Sequence, residues 1–265
     1  MIPALAFEQI TCTFSGEKPY TVLQEVSFEV APGEFVAVVG PTGCGKSTLL
    51  NLAAGLLPPS AGTVRVEGQP LRGINRRAGY MFQAECLMPW RNAADNVAAG
   101  LQFRGIDRGE CLRRADEWLS RVGLDGFASR YPHELSGGMR KRVALAQMLI
   151  LDPHLILMDE PFSALDVQTR QLMENEVLDL WSRNRKSVLF ITHDLEEAIA
   201  LADRVIVLSA APATRPIGQF GIDLPRPREV PEVRLTKRFL EIHQQIWELL
   251  KSEVLKGYAE QKKRV

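Results

Sequence analysis

The 265 residues suffice for one large α/β domain, or for a core with a small appended subdomain. With 46% hydrophobic and 24% charged residues, the chain has the composition of a folded protein rather than a disordered one. Lys plus Arg and Asp plus Glu stand at 32 each, so bulk charge gives no reason to expect a nucleic-acid partner.

Cys12, Cys44, Cys86 and Cys111 contain no CxxC pair and fit neither a zinc site nor a disulfide framework, which suggests a reducing, cytosolic compartment. Residues Met1 to Ile10 lack the basic and long apolar regions of a signal peptide. No apolar run reaches the ~18 residues that span a bilayer, so a role at a membrane requires docking onto a spanning partner.

In chain order, Glu34 to Val39 reads as a short apolar strand, followed by glycines and the helical pattern Leu49, Leu50, Leu52, Ala53. Thr63 to Val66 and Gly79 to Phe82 are strand candidates bounded by turns. Asn92 to Leu124 is helical and charged, with a break near Gly105, and Gly138 to Leu151 is a further helix. Leu155 to Met158 is a continuous apolar run, expected of a strand buried on both faces. Val167 to Trp181 reads as helix, Ser187 to Thr192 as a second buried strand, Leu195 to Ala202 as a short helix and Val205 to Leu208 as a strand. Strands alternating with helices predict a mainly parallel sheet covered on both faces. Pro212 to Pro231, with five prolines, reads as an extended segment and loop. Beyond it, Phe239, Ile242, Ile246 and Leu249 make one apolar helical stripe, and Lys262-Lys263-Arg264 a frayed, solvated tail.

Gly40-Pro41-Thr42-Gly43-Cys44-Gly45-Lys46-Ser47 fits GxxxxGK[ST] in full, directly after a strand and directly before a helix. The glycines let the backbone curl so that successive N–H groups face an anion, and the helix start adds its positive dipole end. Lys46 supplies a point charge for β- and γ-phosphates, Ser47 a hydroxyl for Mg²⁺, and Thr48 an N–H near the α-phosphate.

The strand Leu155 to Met158 ends in Asp159-Glu160, at the sheet edge where open parallel sheets bind ligands. Asp159 is expected to hold Mg²⁺, through water, and Glu160 to polarise or deprotonate an attacking water. Leu135-Ser136-Gly137-Gly138-Met139 precedes a helix and offers N–H groups and a hydroxyl to a second anion. Taken alone, it reads more readily as an N-cap, Ser136, with turn glycines.

The ordered set GPTGCGKST, Gln83, LSGGM, LILMDEP, Ser163-Ala164-Leu165-Asp166 and Ile191-Thr192-His193-Asp194 resembles the ABC ATPase family over nearly the whole chain. The resemblance implies an α/β fold: a P-loop (RecA-like) core with a mainly parallel sheet, an N-terminal antiparallel β subdomain and an α-helical subdomain carrying LSGG. It also implies a single cassette, with about residues 84–153 inserted as the helical subdomain and about residues 212–265 as a C-terminal extension with a terminal helix. Cassettes of this family pair head to tail around two ATP molecules. Ser136, Gly137 and Gly138 would thus touch the γ-phosphate bound by the partner chain, a homodimer being expected. Gln83 resembles the Q-loop residue that reaches Mg²⁺ and water. His193 resembles the switch histidine bridging γ-phosphate and the catalytic glutamate, though it also reads as a capping residue. Asp166 resembles the D-loop acid at the dimer seam. The adenine platform falls on Phe14, with Tyr20 as the alternative, because the loop around Glu17-Lys18-Pro19 leaves the register open.

Two positions depart from the family pattern. Met139 stands where Gln is commoner, and Lys141 where close relatives often carry Gln. The cluster Arg140-Lys141-Arg142 reads as a partly solvated helix face.

Gln83 to Trp90, with its Leu-x-Pro-Trp stretch, resembles the nitrate/sulfonate/taurine importer branch, as do Arg130 to Glu134 and the late Phe239, His243, Trp247 helix. Trp90 and Leu87 then help form the groove for a helix of a membrane subunit, or simply pack the helical subdomain. The absence of a long segment after the last helix argues against the sugar-importer branch, which carries a regulatory barrel. The resemblance implies an ATPase on the cytoplasmic face of the bacterial inner membrane, powering permease subunits served by an external solute-binding protein. The alternative is a soluble ABC ATPase acting on ribosomes or DNA, disfavoured by one cassette and no sustained heptads. A phosphate-loop kinase would have no need of LSGG or His193.

Overall fold

The structure is a computed structural model that describes residues 1–16, 18–163 and 165–262. Glu17, Ala164 and the tail residues Lys263-Arg264 lie outside the described residues. The strands are β1 (Leu5–Phe14), β2 (Tyr20–Val30), β3 (Phe35–Val39), β4 (Ala61–Val66), β5 (Gln69–Pro70), β6 (Ala78–Met81), β7 (Leu155–Asp159), β8 (Ser187–Ile191), β9 (Arg204–Leu208) and β10 (Pro216–Gly221). The α-helices are α1 (Lys46–Ala54), α2 (Ala93–Phe103), α3 (Arg108–Arg121), α4 (Gly137–Leu149), α5 (Val167–Asn184), α6 (Leu195–Leu201), α7 (Val230–Val233) and α8 (Lys237–Lys262).

Six strands form the main sheet in the order β10-β9-β3-β8-β7-β6. Five run parallel, and β10 joins the edge antiparallel to β9. The four central strands explain their own sequences, since alternate residues face two different cores. Phe35, Ala37 and Val39 of β3 face the core covered by α4 to α8, as do Ile156 and Met158 of β7 and Val188 and Phe190 of β8. Val36, Val38, Leu155, Leu157, Leu189 and Ile191 face the other core. With both faces covered, neither set of positions tolerates a polar side chain, and the strands read as unbroken apolar runs.

The second core is closed by a four-stranded antiparallel sheet, β2-β1-β4-β5. Leu5, Phe7, Ile10, Leu23, Val26 and Phe28 of that sheet pack with Leu49, Leu50 and Ala53 of α1 against the main sheet. Its first two strands carry bulges at Gln9 (φ 52°) and Glu25 (φ 51°). Between β6 and β7 the chain makes α2, α3 and α4, which pack on one another, and α4 also contacts β6 and α5. The break between α2 and α3 falls at Arg104 to Asp107, around Gly105 (φ 76°).

Pro212 to Pro231 is not wholly loop, because Pro216–Gly221 pairs with β9. Gly218 lies close beneath α8, where a Cβ would come 2.6 Å from Leu249 Cδ2. In α8, Phe239, Ile242, Ile246 and Leu250 are buried, while Leu249 is half-buried. The expected solvated face Arg140-Lys141-Arg142 needs correction. Arg140 and Arg142 are half-buried, but Lys141 is only 1% exposed because the chain following β6 passes over it.

Candidate functional site

The carboxyl ends of β3, β7 and β8 lie side by side, with Val38 paired to Ile191 and Asp159 paired to Ile191. The phosphate loop, the acid pair and the Thr192-His193 segment therefore emerge at one sheet edge. The loop turns on Gly43 (φ 78°) and Gly45 (φ 102°). At Gly45 a Cβ would come within 2.5 Å of Val22 Cγ1, so glycine is required twice, for its backbone and for its contact with β2.

α2 to α6 each begin on a side-chain cap, supplied by Asn92, Asp107, Ser136, Asp166 and Asp194 respectively. α1 begins on Gly45 with no such cap and no acid in its first turn. Its leading N–H groups are left for an anion, which the helix dipole also favours. The Lys46 ammonium is buried at this point and donates to the carbonyls of Gly40 (2.9 Å) and Pro41 (3.0 Å). Pro41, Thr42, His193 and the α8 residues His243 and Trp247 line one cleft of about 750 Å³.

Ser47 Oγ donates to Asp159 Oδ1 at 3.1 Å, joining the loop to the end of β7. Burial pushes the Asp159 carboxyl up from its ordinary range, and the Ser47 hydrogen bond opposes that shift. These two hard oxygen donors suit Mg²⁺. Among the described residues no group of three His, Cys, Asp or Glu could hold a metal unaided.

Glu160 has φ 44°, a left-handed conformation unusual for a side chain of its size, and its N–H donates to the Ile191 carbonyl at 2.9 Å. Its Oε2 accepts from Gln83 Nε2 at 3.3 Å and lies 3.0 Å from His193 Nδ1. Three residues from three different strand ends thus meet on one carboxylate oxygen. The cap of α6 is Asp194, not His193, which removes the capping reading of His193.

The remaining expected residues lie outside this constellation. Ser136 caps α4 by accepting from the Met139 N–H at 3.3 Å. A Cβ on Gly138 would meet Thr169 Cγ2 at 2.6 Å, so this glycine also lets α4 approach α5. Asp166 caps α5, and the Thr169 hydroxyl and N–H hold its carboxyl below the ordinary range. No hydrogen bond or ion pair among the described residues joins Ser136, Gly137 or Gly138 to the phosphate loop. Phe14 faces Tyr20 directly across β1 and β2. Phe14 is 45% exposed, whereas Tyr20 packs against the second core.

Sequence reasoning missed Tyr80. Its hydroxyl lies 3.3 Å from Asn51 Oδ1, and burial and then the Asp159 charge raise its pKa. A tyrosine within a short strand carries no signal of this on its own; the parallel pairing of Tyr80 with Leu157 creates it.

A family profile described as ABC transporter matches residues 23–163. An uncharacterized ABC transporter ATP-binding protein of Methanocaldococcus jannaschii is 45% identical over 92% of this chain and 89% of its own length. A taurine import ATP-binding protein of Rhizobium johnstonii is 42% identical over 87% of this chain and 89% of its own. A nitrate import ATP-binding protein of Synechocystis sp. is 43% identical over 88% of each chain. Among solved structures, a dimeric ATP-binding cassette in a post-hydrolysis state, bound to ADP and Pi, superposes with a TM-score of 0.74 at 30% identity. That match covers 83% of this chain and all of the cassette. On these matches the chain belongs to the ABC transporter family, as an ATP-binding subunit whose ATPase activity is coupled to transport.

Proposed function

We propose that this chain is the energy-coupling subunit of an importer for a small anionic solute such as nitrate, taurine or an alkanesulfonate. The observation that carries the reading is Glu160, positioned by both Gln83 and His193 one residue beyond the Asp159–Ser47 pair. The solute class is supported by relatives named for taurine and nitrate import.

The N–H groups of Gly40 and of Thr42 to Thr48, on the loop that Pro41 shapes, and the Lys46 ammonium bind and orient the ATP phosphates. Ser47 and Asp159, with Gln83 nearby, would hold Mg²⁺, which would supply positive charge to offset that of the phosphates. Water attacks the γ-phosphorus in line, its proton passes to the Glu160 carboxylate, and ADP leaves. His193 holds Glu160 in place and reaches the γ-phosphate. Ser136, Gly137 and Gly138 complete the site of a second copy of the chain, with Asp166 at the seam. Phe14 supports the adenine. This division of labour is supported by the dimeric form of the solved cassette that this chain resembles.

The exposed Trp90 (74%) and the half-buried Leu87 lie on the segment after Gln83, where we place the groove for a permease helix. No helix among the described residues is long and apolar enough to cross a membrane. The chain would therefore act peripherally, on integral permease subunits at the cytoplasmic face of the inner membrane, with an external solute-binding protein delivering the anion.

Glu160→Gln tests the assignment of the base. ATP affinity should persist, turnover should fall by at least ~10²-fold, and light scattering should show an ATP-stabilised dimer. Undiminished turnover would rule Glu160 out.

A further inference from the structure

Lys141 lies in α4, five residues beyond Ser136, and is 1% exposed. Lysine is rarely buried so completely without a partner, because its ammonium loses hydration that only good polar contacts replace. The polar partner here is a main-chain group: the Lys141 ammonium donates to the carbonyl oxygen of Gln83. Arg140 makes a parallel attachment, reaching Glu85 at 3.7 Å while donating to the Leu135 carbonyl at 2.8 Å. Two consecutive cations on α4 therefore grip the segment that follows β6.

Gln83 is held at both ends. Its carbonyl rests on Lys141, and its side-chain amide donates to Glu160 Oε2 at 3.3 Å. A polar path then runs from Lys141, one turn along α4 from Gly137, to Gln83, Glu160 and His193. A cation on a carbonyl makes a charge-assisted hydrogen bond, roughly twice as strong as a neutral one. An apolar side chain in the same space would leave the Gln83 carbonyl without that donor.

We propose that Lys141 is a positioning residue for hydrolysis: it fixes the Gln83 backbone to the signature helix, so that engagement of that helix sets where the Gln83 side chain meets Glu160. The proposal rests on the reading of Gln83 and Glu160 as hydrolytic residues. Lys141 itself touches no reacting atom.

The test is a double-variant cycle on the purified full chain, read as ATPase kcat and ATP KM. Gln83→Ala alone examines the underlying reading and should lower kcat. Lys141→Met should lower kcat roughly tenfold with ATP KM unchanged, because the phosphate loop is untouched. Lys141→Gln, whose amide can donate to the same carbonyl, should recover most of that loss. The Lys141→Met/Gln83→Ala chain should be no slower than Gln83→Ala by itself.

A Gln83→Ala chain with full kcat would overturn the reading of Gln83, and the proposal with it. A slow Gln83→Ala chain that Lys141→Met slows further, by the factor seen alone, would overturn the proposal only and make Lys141 a packing pin. A loss of kcat that Lys141→Gln does not recover would also count against it. If Lys141→Met does not fold, the same cycle run with Lys141→Ala, which removes the donor without forcing a long apolar side chain into its place, reads the coupling.

Discussion

Replacing Glu197 with Gln should remove a pH-dependent load on the fold. Glu197, in α6, is 3% exposed and accepts from Thr192 Oγ1 at 2.5 Å. Arg170 stands 3.8 Å away, while Asp194 and the fully buried Glu174 add negative charge. Burial, with these acids, pushes the Glu197 carboxyl up from 4.5 to about 7. Burial also raises Glu174, to about 6, against the opposing Arg234 at 3.0 Å. A raised carboxyl pKa means the folded chain binds the proton more tightly than the unfolded one. Stability is therefore highest at or below the unfolded value and falls as pH rises through the window from about 4.5 to about 7. At 1.36 kcal/mol per unit, the full shift of Glu197 corresponds to about 3 kcal/mol. Glu197→Gln does not titrate, and its amide oxygen can still accept from Thr192. The fit of the amide adds an offset that does not vary with pH, so the informative quantity is the change in the difference. Urea melts at pH 5, 6.5 and 8 should show the variant gaining on the wild type with rising pH, by up to about 3 kcal/mol. A difference constant from pH 5 to 8 would refute the argument.

Gly45→Ala forces a side chain onto φ 102° and into Val22, and should cost roughly 2 kcal/mol or more while sharply weakening ATP binding. A nucleotide titration paired with a thermal melt checks both effects, and unchanged affinity would show that the loop tolerates displacement. Phe14→Ala should weaken ATP binding by about 1–3 kcal/mol, as for other stacked bases, with little change in stability. Tyr20→Ala should instead lower stability, since Tyr20 packs on the second core. The reverse pattern would move the adenine platform to Tyr20.

What could be read from the sequence followed from burial on two faces. β3, β7, β8 and β9 appear as apolar runs because alternate residues enter separate cores, and the phosphate loop and acid pair stand at their ends. β1 and β2 gave no such signal. Ala6 is buried beside Leu5 and Phe7, and the bulges at Gln9 and Glu25 shift the register, so strict alternation fails. β10 was hidden by Pro216, Gly218 and Gly221, residues that signal turns, and forms because an edge strand antiparallel to β9 accepts them. Lys141 was misread because its environment depends on a carbonyl distant in sequence. The approach of His193 to Glu160 was implied by the family resemblance, whereas that of Gln83, expected to reach Mg²⁺ and water, follows from the parallel register of β6 and β7.

The central claim is that this ATPase drives a membrane permease, and the most direct measurement is to purify the tagged chain from detergent-solubilised membranes and identify what accompanies it. The account predicts a multi-span membrane protein in near-equal amount. Ribosomal proteins or DNA in its place, with no membrane partner, would contradict the transport role and leave the ATPase site standing.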